Sequence, residues 1–243
     1  MKKSINTLIM LFSVLLVLAA CKKQVDNLEP VSDKTGEIGS DELLNYYIVL
    51  RHQNDYPNLP QNLLQVFDFT KYGWDTEVTT RLFNVTSQSK QKIVFNNNKL
   101  VYDIAGDGKD VYSFQLAKDS EGKITLSTYQ YVSKGDMIAI FYAQIFKKTE
   151  APIFKGKIFR LWNNTIYFLK FTPNNTWYSS FYEDFRDADV RVYHQDSPVI
   201  WAGSVNPRDK FLGVCVPYWK DINQPLMLVD ADPGGFQMYS VFK

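Results

Sequence analysis

The densest run of ionisable side chains is Glu183-Asp184-Phe185-Arg186-Asp187-Ala188-Asp189. Two carboxylates facing each other across a cleft, one held neutral and one ionised, are what glycoside hydrolysis needs. Asp184, Asp187 or another acid would have to face a second carboxylate, and spacing along a loop does not set the separation of the two groups in space. Lying between two strands, the stretch also reads as a solvated turn with Arg186 paired locally. Gly106-Asp107-Gly108-Lys109-Asp110 places two carboxylates in a glycine-rich turn, a setting that suits Ca²⁺ when several oxygens converge. It lacks the alternating acidic spacing of calcium loops and reads as a hairpin loop. His52 and His194 are the two histidines, far apart in sequence, and no His/Cys/acid spacing resembles a zinc site. No nucleophile elbow, P-loop or dinucleotide glycine motif occurs. No metal and no cofactor is expected.

Aromatic side chains offer a second kind of chemistry. Trp162, Tyr167, Trp177, Tyr178, Tyr182, Trp201, Tyr218 and Trp219 concentrate in the last third of the chain. Flat rings stack on the apolar faces of sugars and pack into peptide grooves, while Tyr and Trp keep a polar handle. Trp162, Trp177, Tyr178, Trp201 and Trp219 are therefore the candidate ligand-binding residues, the alternative for each ring being a place in a β core. With 27 basic against 26 acidic residues the chain is close to neutral, which argues against a nucleic-acid partner.

The N-terminus carries a different signal. Lys2 and Lys3 precede an apolar run from Leu8 to Ala20, broken only by Ser13, which ends in Leu18-Ala19-Ala20-Cys21. The run suits a signal h-region and falls short of the roughly 20 apolar residues that span a bilayer. Leu18-Ala19-Ala20-Cys21 resembles the lipobox of bacterial lipoproteins. The resemblance implies removal of residues 1–20, a diacylglycerol on the Cys21 thiol, acylation such as palmitate, and a membrane partner reached through that lipid. Each buried acyl CH₂ contributes about 0.8 kcal/mol, so several chains on one residue hold permanently. Lys22 and Lys23 follow in place of an inner-membrane retention Asp or an acidic surface-export cluster. That favours the outer membrane with the domain in the periplasm, surface display being the alternative. With Cys21 lipidated, Cys215 has no partner in the chain. It lies in the apolar stretch Leu212-Gly213-Val214-Cys215-Val216 and reads as a small buried side chain.

These residues must be positioned by a largely β chain. Residues 22–39 are polar, contain Pro30, Gly36 and Gly39, and read as a tether with a reach of about 25 Å. The folded domain is expected over 40–243. Ser40 is a candidate N-cap, and Leu43, Leu44, Tyr47 and Ile48 share one helical face, which predicts a helix over 41–52. Gln61 to Phe67 suggests a second short one. From about residue 76 the period changes to two, and about fourteen candidate strands follow, separated by Asn- and Gly-rich turns. Short links mean antiparallel neighbours. Met137 to Phe146, nearly all apolar, reads as a central strand covered on both faces or as a contact strand. An offset of 66 aligns Asn97-Asn98 with Asn163-Asn164 and Tyr112-Ser113 with Tyr178-Ser179, a similarity that two aromatic hairpins also produce. The expected fold class is mainly β: an antiparallel meander forming a sandwich or open barrel, with one or two short N-terminal helices.

Three functions fit this frame. The first is a lipid-anchored binding module of the cell envelope for a glycan, peptide or protein. The second is an envelope assembly or structural factor whose β domain holds a lipid or a protein. The third is a glycan hydrolase.

Overall fold

A computed structural model describes residues 36–53, 62–71, 77–84, 88–162, 166–202, 210–218, 221–232 and 235–242. Gly36–Lys243 forms one compact unit. It is mainly β and antiparallel throughout, and the described residues form two consecutive meanders. The first runs through β1 (Tyr46–Gln53), β2 (Asn62–Thr70), β3 (Thr79–Phe83), β4 (Gln88–Lys92), β5 (Val94–Asn96), β6 (Lys99–Asp103), β7 (Asp110–Lys118), β8 (Ile124–Ser133), β9 (Asp136–Met137) and β10 (Ile140–Lys147). β4 continues into β5 around Ile93, β9 continues into β10 around Ile138-Ala139, and β10 returns to pair with β1. The second comprises β11 (Ile158–Leu161), β12 (Phe168–Phe171), β13 (Thr176–Ser180), β14 (Asp189–Val192), β15 (His194–Asp196), β16 (Val199–Ala202), β17 (Lys210–Tyr218), β18 (Asp221–Asp232) and β19 (Gly235–Val241). Here β19 pairs with β11, while β14 and β15 are the two halves of one strand bent at Tyr193. With each bent strand counted once, both meanders curl into a nearly closed eight-stranded barrel.

The tight turns follow the expected chemistry. Asn97 and Asn98 both adopt positive φ, 51° and 58°, and so do Lys134 at 51° and Gly135 at 95°. Two consecutive residues of this kind make the hairpin turn whose twist matches the strands it joins.

Strand alternation divides the apolar residues among three layers. Ile48, Leu50, Phe67, Phe69, Tyr102, Tyr112 and Phe114 fill the first barrel. Phe67 lies at its centre, with ring centroids 5.5, 5.1 and 5.0 Å from Tyr102, Tyr112 and Phe114. Phe159, Phe171, Trp177, Phe211, Met227 and Tyr239 fill the second. There Gly213 admits the Phe211 ring and the Met227 sulfur to within 3.0 and 3.3 Å of where a Cβ would stand. Between the barrels lies a seam. Tyr47, Val49, Leu64 and Val66 of the first barrel meet Leu212, Val214, Leu226 and Leu228 of the second.

The seam explains where the structure departs from the helical expectation. The predicted helix 41–52 is instead a 3-10 helix over Ser40–Asn45 followed by β1. Gly39, not Ser40, stands at the N-cap, and its N–H donates to Glu42 Oε1 at 2.8 Å. Gln61 to Phe67 falls largely in β2. β1 and β2 turn one row of side chains into a barrel and the other into the seam, so both rows are apolar. The resulting continuous run has no period of two. Of the two readings of Met137 to Phe146, the central strand is overturned: among the described residues the stretch is the bent pair β9–β10 at a sheet edge. β10 is hydrogen-bonded on one side, to β1, with Phe141 exposed. The offset of 66 places Tyr112, on β7, over Tyr178, on β13, which are not equivalent strands.

A charged cluster closes one end of the seam. Asp68 is 1% exposed. Its carboxylate meets Arg81 Nη2 at 2.7 Å and Lys148 Nζ at 2.6 Å, and Arg81 Nη1 reaches Asp196 on the second barrel at 3.2 Å. Further along, Asp230 of β18 is fully buried, and its Oδ2 accepts the Leu64 N–H at 3.0 Å.

Buried tyrosines give the fold an alkaline limit. Burial pushes the phenols of Tyr47, Tyr112 and Tyr239 well above their ordinary value of 10.0. In the unfolded chain they would ionise near pH 10, so their contribution is full below pH 10 and is lost as pH rises above it. At about 1.4 kcal/mol per unit each, three such groups cost roughly 4 kcal/mol per pH unit above 10. Their phenolate absorbance is therefore expected to appear only together with loss of near-ultraviolet circular dichroism. Full phenolate titration with the dichroism intact would contradict this.

Candidate functional site

The outer face of β11–β14 carries several of the exposed aromatic and apolar side chains among the described residues of the second barrel. Along these strands Phe159, Leu169, Phe171 and Trp177 point inward. Arg160, Phe168, Lys170, Tyr178, Val190 and Val192 alternate with them and point outward. The ladder sets Arg160 beside Phe168, and Lys170 beside Tyr178, which in turn is beside Val190. Trp162 ends this face beyond β11, with Ile166 before β12 and Phe181-Tyr182 beyond β13. Trp162 is 42% exposed, Ile166 68% and Phe181 63%. Phe181 lies 5.1 Å from the Tyr167 ring.

The acidic stretch forms a loop folded onto this face. Phe185 takes a positive φ of 58°. Its ring lies 6.5 Å from Phe168 and 6.4 Å from Tyr178, with the Lys170 ammonium 5.7 Å away. The Arg186 guanidinium covers the Tyr182 ring at 3.8 Å. Asp184 Oδ1 accepts the Arg186 N–H at 3.2 Å, and Asp187 accepts a hydrogen bond from the Ser180 hydroxyl. Both candidate carboxylates therefore brace the loop. In the glycine-rich turn, Asp103 accepts the N–H groups of Gly106 and Gly108 at 2.9 and 2.8 Å, and Asp107 pairs with Lys109 at 2.8 Å. Asp110 accepts the Ser133 hydroxyl at 2.5 Å. Among the described residues no three His, Cys, Asp or Glu side chains converge as metal ligands.

The sequence-chosen aromatics separate. Trp162 and Tyr178 share the outer face. Trp177 is 5% exposed and stacks on Phe211 inside the barrel at 4.8 Å. Trp201 lies in β16, with its side chain outside the described residues, and Trp219 lies outside them altogether. Cys215 is a free, buried thiol in the second barrel, and burial pushes its ionisation well up, so it is inert as a nucleophile. His52 is buried in the first barrel, its Nε2 3.2 Å from Tyr112 Oη, and His194 is exposed on β15. Sequence reading missed Ile166, Phe181, Phe185, Val190 and Val192. Val190 and Val192 alternate with charged Asp189 and Arg191, a period-two pattern that marks one face without saying that it is the outer one.

No protein-family profile matches the chain, and no curated protein matches it in sequence. Among solved structures it is distantly similar to a protein of unknown function of the DUF3598 family from Nostoc punctiforme. The two are 8% identical, with a TM-score of 0.28 over 84% of this chain and 98% of that one.

Proposed function

We propose that this chain is a lipid-anchored binding module of the cell envelope, tethered through Cys21 and engaging a protein or glycan with the outer face of β11–β14. The lipobox-like Leu18-Ala19-Ala20-Cys21 supports the anchor. The observation that carries the binding reading is that Trp162, Ile166, Phe181 and Tyr182, at the neighbouring ends of β11, β12 and β13, are each left exposed. Monomers rarely leave large apolar patches open, and such patches mark contact sites. The mixture of Tyr, Trp, Phe and Arg is that of protein interfaces, and rings of this kind also stack on sugars. Both barrels are filled by aromatic side chains, so this reading places the ligand on a surface and not in a barrel interior.

A photo-crosslinking side chain at position 166, in cells, tests this reading together with a glycan array probed with the purified chain. A specific adduct or glycan is expected, lost when Trp162→Ala and Tyr182→Ala are combined. Interface anchors of this type contribute about 2 kcal/mol each, so the double variant is expected to bind at least about a hundredfold more weakly. Crosslinks no different from those at position 128, on the other barrel, with an empty glycan array, would overturn it.

A further inference from the structure

The end of the seam opposite Asp68 opens into a recess of about 220 Å³. Its walls come from both barrels: Arg51 and Phe141 from the first, Leu228, Phe236 and Met238 from the second. Arg51 supplies the cation. Its guanidinium lies 4.3 Å from the Phe236 ring centroid and 5.4 Å from that of Phe141. Among the described residues no carboxylate pairs with it, and its Nε is buried without a hydrogen-bond acceptor. Elsewhere in the seam Asp68 meets Arg81 and Lys148, and one oxygen of Asp230 accepts the Leu64 N–H. Arg51 differs in having aromatic rings, and no carboxylate among the described residues, as its neighbours.

We propose that this recess binds a small amphipathic monocarboxylate, its apolar body between Phe236, Met238 and Leu228 and its carboxylate on the Arg51 guanidinium. Two features define that class. A guanidinium donates two parallel hydrogen bonds to a carboxylate, and the buried Nε–H of this one has no acceptor. The surrounding wall is apolar and aromatic, and a recess of this size holds about seven water-sized groups, so the body is short. Burial also holds the Arg51 guanidinium below its ordinary value, as expected of a desolvated cation lacking a counter-ion. The recess lies on the seam and not on the β11–β14 face, so it stands or falls independently of the surface proposed above.

Titration of the full chain with hexanoate, hexanol and hexylamine tests the assignment, with the Met238 methyl resonance as the local reporter. Hexanoate is expected to shift that resonance and to bind at least about tenfold more tightly than hexanol, the scale of one charge-assisted hydrogen bond. Hexylamine is expected to leave it unmoved. Arg51→Gln is expected to abolish the preference for hexanoate while leaving the melting temperature close to that of the parent chain. Should Arg51→Gln fail to fold, Arg51→Lys decides, because it keeps the charge and must keep part of the preference. An unmoved Met238 resonance, equal affinity for hexanoate and hexanol, or a preference that survives Arg51→Gln would each overturn the proposal.

Discussion

An Asp68→Ala chain is expected to lose about 3–5 kcal/mol of stability to urea, the cost of removing one partner from a buried ion cluster. Asp68 is essentially inaccessible and answers two cations, Arg81 and Lys148, at 2.7 and 2.6 Å. Lys148 also donates to the Phe69 carbonyl at 2.6 Å, and Arg81 bridges to Asp196 across the seam. Deleting the carboxylate leaves two half-buried cations facing each other with no anion between them. Three elements lose their common tie: β2, β3 and the 3-10 turn Lys148–Glu150 that leads out of β10. Asp68→Asn keeps the shape and an acceptor oxygen, so it separates charge from packing and is expected to cost less than alanine. A loss under about 1 kcal/mol for Asp68→Ala, the scale of a surface pair, would show that the cluster is solvated and does not hold the barrels together.

Cys21→Ala is expected to change location completely and stability hardly at all. On the lipobox reading the Cys21 thiol is the sole attachment point for the lipid. Without it, labelled palmitate is not incorporated, and the chain moves from the membrane pellet to the soluble fraction or stays uncleaved. Among the described residues no helix is long and apolar enough to cross a membrane. The compact unit begins at Gly36, so the purified variant is expected to melt with the parent chain. Fatty-acid label retained on Cys21→Ala would remove the lipoprotein reading and leave the surface and the recess to be explained in another compartment.

Much of the fold was legible in local chemistry. Asn97-Asn98 and Gly135 announce hairpins because Asn and Gly accept positive φ more readily than other residues, and short links enforce antiparallel pairing. The alternation of Val190 and Val192 with charged neighbours is visible without coordinates. The site was less legible. Trp177 and Tyr178 are adjacent in sequence and equally suited to a ligand, yet strand alternation sends Trp177 into the core and Tyr178 outside.

The sequence by itself determined the β character, the turns and the lipobox-like start, because each depends on residues a few positions apart. Only the tertiary structure decided that the meander closes twice. It also decided that β1 and β2 are strands, because their double-sided burial exists only once the second barrel covers the first. The same seam leaves Arg51, an unremarkable basic residue in the sequence, as a cation among aromatic rings. Its neighbours Phe141 and Phe236 lie far along the chain, and no local pattern encodes a contact made by packing one barrel on another.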